Sequence, residues 1–92
     1  MTSWSGRGAA TQIYSPDFDH DFAGLPASTQ RRIEEKLEDM GRRLGSFSHY
    51  RMTGSQDCRL RIGDYRVIYQ FDVARNEILV LGVGHRGEIY RK

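Results

Sequence analysis

A single cysteine in 92 residues excludes an internal disulfide and any cysteine-cluster metal site. Cys58 alternates with arginine in a β-prone run, where a small buried hydrophobe is the expected role rather than a nucleophile. No apolar run approaches the ~20 residues of a membrane-spanning helix, and Met1–Ala10 lacks both the basic start and the apolar stretch of a signal peptide. A soluble, cytoplasmic protein is expected. Proline occurs only at Pro16 and Pro26, and lysine only at Lys36 and Lys92. P-loops, nucleotide fingerprints, zinc-ligand spacings, Ser–His–Asp signatures and internal repeats are missing, so no cofactor or metal is implied. Ninety-two residues leave room for one domain, large enough to bury about 60–65% of its unfolded surface around a single core.

What the chain does contain is arginine. Of its fourteen basic residues all but the two lysines are arginines, the side chain suited to planar, forked contacts with phosphate and to stacking on bases. The net charge of +2 conceals an asymmetry, since residues 1–46 hold six basic and seven acidic groups while residues 47–92 hold eight and five. The second half is the cationic half, which makes nucleic acid a candidate partner.

The stretch from Cys58 to Phe71 reads as a β-hairpin. Leu60 and Ile62 alternate with Arg59 and Arg61, then Tyr65, Val67, Tyr69 and Phe71 alternate with Arg66, Ile68 and Gln70. Gly63-Asp64 is the turn, and glycine at its first position suits type II′ because it takes a positive φ without steric cost. A two-residue turn sets Ile62 opposite Tyr65, Arg61 opposite Arg66, Leu60 opposite Val67 and Arg59 opposite Ile68. One face is then apolar and the other carries three guanidiniums. Like charges directly opposite are destabilising, which points to an anion between them, a phosphate site; arginines on an outer sheet face also serve simple solubility.

The rest of the chain supplies a scaffold. Residues 1–10 read as a flexible leader with Trp4 as its one docking candidate, and residues 11–92 as the folded domain, opening on a short strand at 11–14. Ser15-Pro16-Asp17 is a helix start, with Asp17, Asp19 and Asp21 complementing the dipole rather than forming a metal cluster; Gly24 can end that helix. From Pro26, Ile33, Leu37, Met40 and Leu44 form one apolar stripe of a longer helix, and both helices need the apolar sheet face as partner. In the polar connection at 46–57, Arg51 is a candidate extension of the cationic surface. Residues 78–83 are apolar on both faces, as a covered central strand would be. His20 and His49 are expected at the surface.

The order strand, two helices, three strands, with Arg-Leu-Arg-Ile-Gly-Asp-Tyr-Arg-Val-Ile-Tyr at 59–69 and Val-Gly-His-Arg-Gly-Glu-Ile-Tyr-Arg at 83–91, resembles the RelE/ParE toxin superfamily of type II toxin–antitoxin systems, from about Ile13 onward. The resemblance implies a small α+β fold of RelE type, a largely antiparallel twisted sheet with two helices packed on one face. Its RelE branch implies a ribosome-dependent endoribonuclease that cleaves mRNA in the A site and is neutralised by a cognate antitoxin, operator DNA being reached only through that antitoxin. Carried over by position, Arg61, Arg66, Arg86 and Tyr90 become candidate catalytic residues and Arg59 a candidate RNA-binding residue, to which the basic side chains of Arg51 and Arg91 are added as further RNA-binding candidates. Arginine stands here where that branch often has lysine on the first hairpin strand.

A guanidinium stays protonated at ordinary pH and makes a poor general base, so Arg61, Arg66 and Arg86 suit charge stabilisation of a phosphate attacked by its ribose 2′-hydroxyl, without metal. Imidazole titrates near neutrality, which makes His85 the reserve candidate for acid or base; a histidine satisfied by backbone beside a glycine-flanked turn is the plainer alternative. Two other activities stay open: a non-enzymatic ParE-like inhibitor of DNA gyrase, and a co-repressor acting with an antitoxin on DNA.

Overall fold

The computed structural model describes residues 8–85 of the chain. The elements run β1 (Thr11–Tyr14), α1 (Pro16–Ala23), α2 (Ala27–Arg42), β2 (Cys58–Ile62), β3 (Tyr65–Asp72) and β4 (Glu77–His85). They form an α+β domain whose single sheet has the order β1-β4-β3-β2, antiparallel except for the parallel pairing of β1 with β4.

The hairpin register is the one its turn demands. Cys58, Arg59, Leu60, Arg61 and Ile62 lie opposite Tyr69, Ile68, Val67, Arg66 and Tyr65. Gly63 has φ +60°, and Asp64 has none of the positive φ that a type I′ turn would require. A Cβ at Gly63 would stand 3.0 Å from one Nη of Arg32, so α2 reaches the hairpin tip.

Helix α1 begins where its start signal stands. Ser15 Oγ accepts from the Phe18 amide at 3.1 Å and donates to the Leu81 carbonyl at 2.7 Å, so one hydroxyl caps the helix and pins it to β4. Gly24 closes α1, and Gln30 Nε2 donates to the Phe22 carbonyl at 2.8 Å, tying the second helix to the first. Ile33, Leu37, Met40 and Leu44 are buried together with Phe18 against Cys58, Leu60, Ile62, Val67, Tyr69, Ile78, Val80 and Val83. Both helices therefore cover one face of the sheet. Ala10, which the sequence groups with the leader, is also buried; its amide donates to the Gly41 carbonyl at 2.9 Å. Trp4 lies outside the described residues.

One irregularity sets what β4 presents. Ile68 pairs with Gly82 but Tyr69 pairs with Val80, which leaves Leu81 as an extra residue in β4. A one-residue insertion reverses the alternation, so Val80 and Val83 both face the helices. Gly82 and Gly84 face the other way, opposite Ile68 and Arg66. Among the described residues no helix is long and apolar enough to cross a membrane.

Candidate nucleic-acid interface

The face of the sheet turned away from the helices carries Arg59, Arg61 and Arg66. Arg61 and Arg66 are direct cross-strand partners, and Arg59 sits one step along β2, opposite Ile68. Arg61 is exposed, while Arg59 and Arg66 are half-buried. Ile68 is buried yet stands outside the main core, as the apolar floor between the arginines. Gly82 and Gly84 continue the two rungs without side chains. The outcome is a shallow cationic face on a rigid hairpin, the kind of support that holds a charged side chain in one orientation.

The structure also brings residues to this face that pattern reading missed. Gln70 Nε2 donates to Asp57 Oδ1 at 2.7 Å, which places a carboxylate at the border of the arginine group. The segment just before β2 runs beside it: the Arg59 amide donates to the Tyr50 carbonyl at 3.0 Å and the Met52 amide to the Asp57 carbonyl at 2.9 Å. Tyr50 thereby lies next to Arg59, whose guanidinium carbon is 4.5 Å from the ring centroid. No periodicity announces this short pairing, and its only sequence signal is the turn-forming Thr53-Gly54-Ser55 between its halves.

Two candidates go to the other side. Arg51 bridges with Cys58, whose side chain faces the helices, and its guanidinium lies 5.7 Å from the Phe71 ring centroid. The same backbone pairing that brings Tyr50 to the arginine face turns Arg51 away from it. His85 pairs with Tyr65, which shares its side of β3 with Val67, and the two rings meet edge-on at 5.4 Å. The extra residue Leu81 is what places it there, because the shifted alternation brings Gly84 to Arg66 and turns His85 to the helix side. Arg86, Tyr90 and Arg91 lie outside the described residues.

His49 also departs from expectation. Its Nδ1 lies 2.7 Å from Tyr69 Oη and its Nε2 2.9 Å from the Leu44 carbonyl. A carbonyl only accepts, so Nε2 carries a proton, and in the neutral ring Nδ1 then accepts from the tyrosine hydroxyl. The ring stacks on Phe71 at 3.7 Å between centroids, so His49 fastens the 46–57 connection to the sheet instead of standing at the surface. Beneath it, burial pushes the Tyr69 phenol well above its ordinary range, with Cys58 adding to the rise. Burial likewise raises the Cys58 thiol, which fits a packed side chain rather than a nucleophile.

Residues 13–90 match the family described as the ParE toxin of type II toxin–antitoxin systems, parDE. No curated protein matches the chain in sequence. Among solved structures, the chain is similar to one in the toxin–antitoxin complex RelBE2 of Mycobacterium tuberculosis, with a TM-score of 0.74 and 20% identity over 90% of this chain and 98% of that one. It is similar to one in the archaeal RelE–RelB complex of Pyrococcus horikoshii, at TM-score 0.69 and 24% identity over 87% and 98%. The intact Escherichia coli RelBE toxin–antitoxin complex holds another similar chain, at TM-score 0.70 and 15% identity over 87% and 100%.

Proposed function

The chain belongs to the ParE toxin family of type II toxin–antitoxin systems, and from that premise we propose that it is an RNase toxin of RelE type, cleaving mRNA in the ribosomal A site without metal. The observation that carries this reading is the opposition of Arg61 and Arg66 across the Gly63-Asp64 turn, with Arg59 beside them on the open face of the sheet. Two guanidiniums set opposite each other make a site whose charge and forked geometry suit a phosphodiester. In this role Arg61 and Arg66 stabilise the charge that develops on the phosphoryl oxygens, and Arg59 holds the neighbouring backbone. By resemblance Arg86 and Tyr90 complete the set, with Arg91 as a further RNA contact.

Among the described residues the arginine face holds no imidazole, since His49 is bound behind the sheet and His85 lies on the helix side. Electrostatic stabilisation and orientation must then carry most of the rate. Holding the 2′-hydroxyl in line with the leaving oxygen can lower a barrier by roughly 7–11 kcal/mol, and a shallow face cannot impose that geometry on flexible RNA. The ribosome, which fixes the message, would. One message should therefore be cut much faster when translated than when free, at equal protein concentration; equal rates would refute the proposal. A cognate antitoxin is the proposed inhibitor, an amphipathic or extended segment wrapping the domain with acidic residues near the arginines.

The ParE name of the matching family supports a second reading, inhibition of DNA gyrase without nuclease activity. Expression in growing cells separates the two. Translation arrest with cut messages supports the RNase, and a DNA-damage response with intact messages supports the gyrase inhibitor.

A further inference from the structure

Tyr50 is 60% exposed, more than Ile13, Tyr14 or Val73 among the large apolar side chains at the surface. It is nevertheless held in place. The hydrogen bond from the Arg59 amide to its carbonyl fixes its backbone beside β2, and the Arg59 guanidinium lies over its ring at 4.5 Å. Pairing with Arg59 also decides which way it faces, because Arg51, the next residue, is the one that meets Cys58. The result is an extra rung at the edge of the arginine group, reading Tyr50, Arg59, Ile68 and Gly82 across the sheet, beside the rung of Arg61, Arg66 and Gly84. Successive same-face rungs on a strand are about 7 Å apart, two residues of rise.

We propose that Tyr50 is a stacking platform for one unpaired base of a single-stranded RNA whose phosphate is held by Arg61 and Arg66. An exposed ring beside cations has little use in folding. For a nucleic-acid strand it offers an apolar surface one rung from a phosphate site, and any base can use it because every base has a π-face. The Arg59 guanidinium stiffens the ring and extends the stack on its protein side. This inference deepens the RNase reading and rests on it for the identity of the strand.

The test is binding of a labelled RNA dodecamer, made non-cleavable by 2′-O-methylation, followed by anisotropy with the full chain and with Tyr50→Ala and Tyr50→Phe. Tyr50→Ala should bind roughly 5- to 100-fold more weakly, with an unchanged melting temperature, while Tyr50→Phe binds like the unmodified protein. Dodecamers with a single abasic position add a sharper readout. At one position the missing base should weaken the unmodified protein to the same extent as Tyr50→Ala, and cost Tyr50→Ala nothing more. Equal affinity of Tyr50→Ala and the unmodified protein would overturn the proposal. So would a failure of the unmodified protein to bind the dodecamer, or a loss confined to antitoxin affinity, which would make Tyr50 a protein contact. Cleavage of a translated message separates this inference from the reading beneath it. If the message is cut and Tyr50→Ala leaves KM unchanged, stacking falls and the RNase stands. If the message is not cut but the dodecamer losses appear, the RNase reading falls and the platform stands.

Discussion

The two faces of the sheet are made from the same four strands by the same alternation, and they are unlike in every other respect. The face toward the helices is closed: Ile33, Leu37 and Met40 from α2 meet Val67, Tyr69, Ile78 and Val80, all nearly free of solvent. The opposite face, among the described residues, carries Arg59, Arg61, Arg66 and Gln70 with Ile68, Leu79 and two glycines, and Tyr50 at its edge. Apolar burial is non-directional and fixes the closed face through bulk. The open face is left free for residues that would be costly inside. On the proposed function, stability and activity belong to opposite sides of one layer, and a substitution should disturb one of them without the other.

The sharpest break in that division is expected from Leu37→Ala. The side chain is 1% exposed at the centre of the closed face, and truncation should cost ~2–5 kcal/mol, read as a lower midpoint in urea. The same measurement on Arg61→Ala should move little. Arg61→Ala and Arg66→Ala should instead lower message cleavage by roughly 10²–10³ each and relieve growth arrest while the melting temperature holds. Retained toxicity in both variants would mean that the open face is only a solubilising surface.

A third test uses pH to probe the closed face alone. Burial raises the Cys58 thiol and the Tyr69 phenol above their ordinary values of 9.0 and 10.0. In the unfolded chain both ionise at those values while the folded protein keeps its protons, so their contribution is complete below about pH 9 and declines above it. The decline approaches ~1.4 kcal/mol per pH unit for each group that has ionised only in the unfolded chain. Cys58→Ala should flatten the fall in stability between pH 9 and pH 11, and an unaltered slope would assign it to other groups. The smallest effect belongs to the hairpin tip, where the faces meet. Gly63→Ala places a Cβ at φ +60° and should cost about 1–2 kcal/mol; the Arg32 guanidinium near that Cβ is the end of a flexible side chain and can give way.

The residues that encode these faces differ in how openly they do so. The hairpin was legible in full, because period-two alternation and a glycine at the first turn position leave one register for Arg61 and Arg66. Ser15 and the stripe of Ile33, Leu37 and Met40 were legible for the same local reason, a cap and a helical period, whereas Leu44, buried with them, lies past the end of α2 at Arg42. What stayed hidden depends on distant partners. Nothing local distinguishes Leu81 from its apolar neighbours as the residue that slips the register, and that slip decides that Gly84 rather than Val83 meets Arg66 and that His85 falls on the helix side. Arg51 looked like part of the cationic surface because charge alone carries no face; its bridge to Cys58 gives it one and delivers Tyr50 in its place. The hydrogen bonds of His49 to Tyr69 and Leu44 could not be read from a loop without periodicity.

The strand order also governs when this molecule can exist. β4 is hydrogen-bonded to β1 on one side and to β3 on the other, and it is the last of the described elements to be synthesised. Until it emerges, β1 has no partner, the Ser15 hydroxyl has no Leu81 carbonyl, and the closed face lacks Ile78, Val80 and Val83. Contacts of such long sequence separation form late. The arginine hairpin can pair on its own earlier, but an isolated hairpin is marginal in water, so the site becomes rigid only after nearly all of the chain has been made. A partial chain that lacks β4 therefore carries Arg59, Arg61 and Arg66 without the closed sheet that would hold them in place.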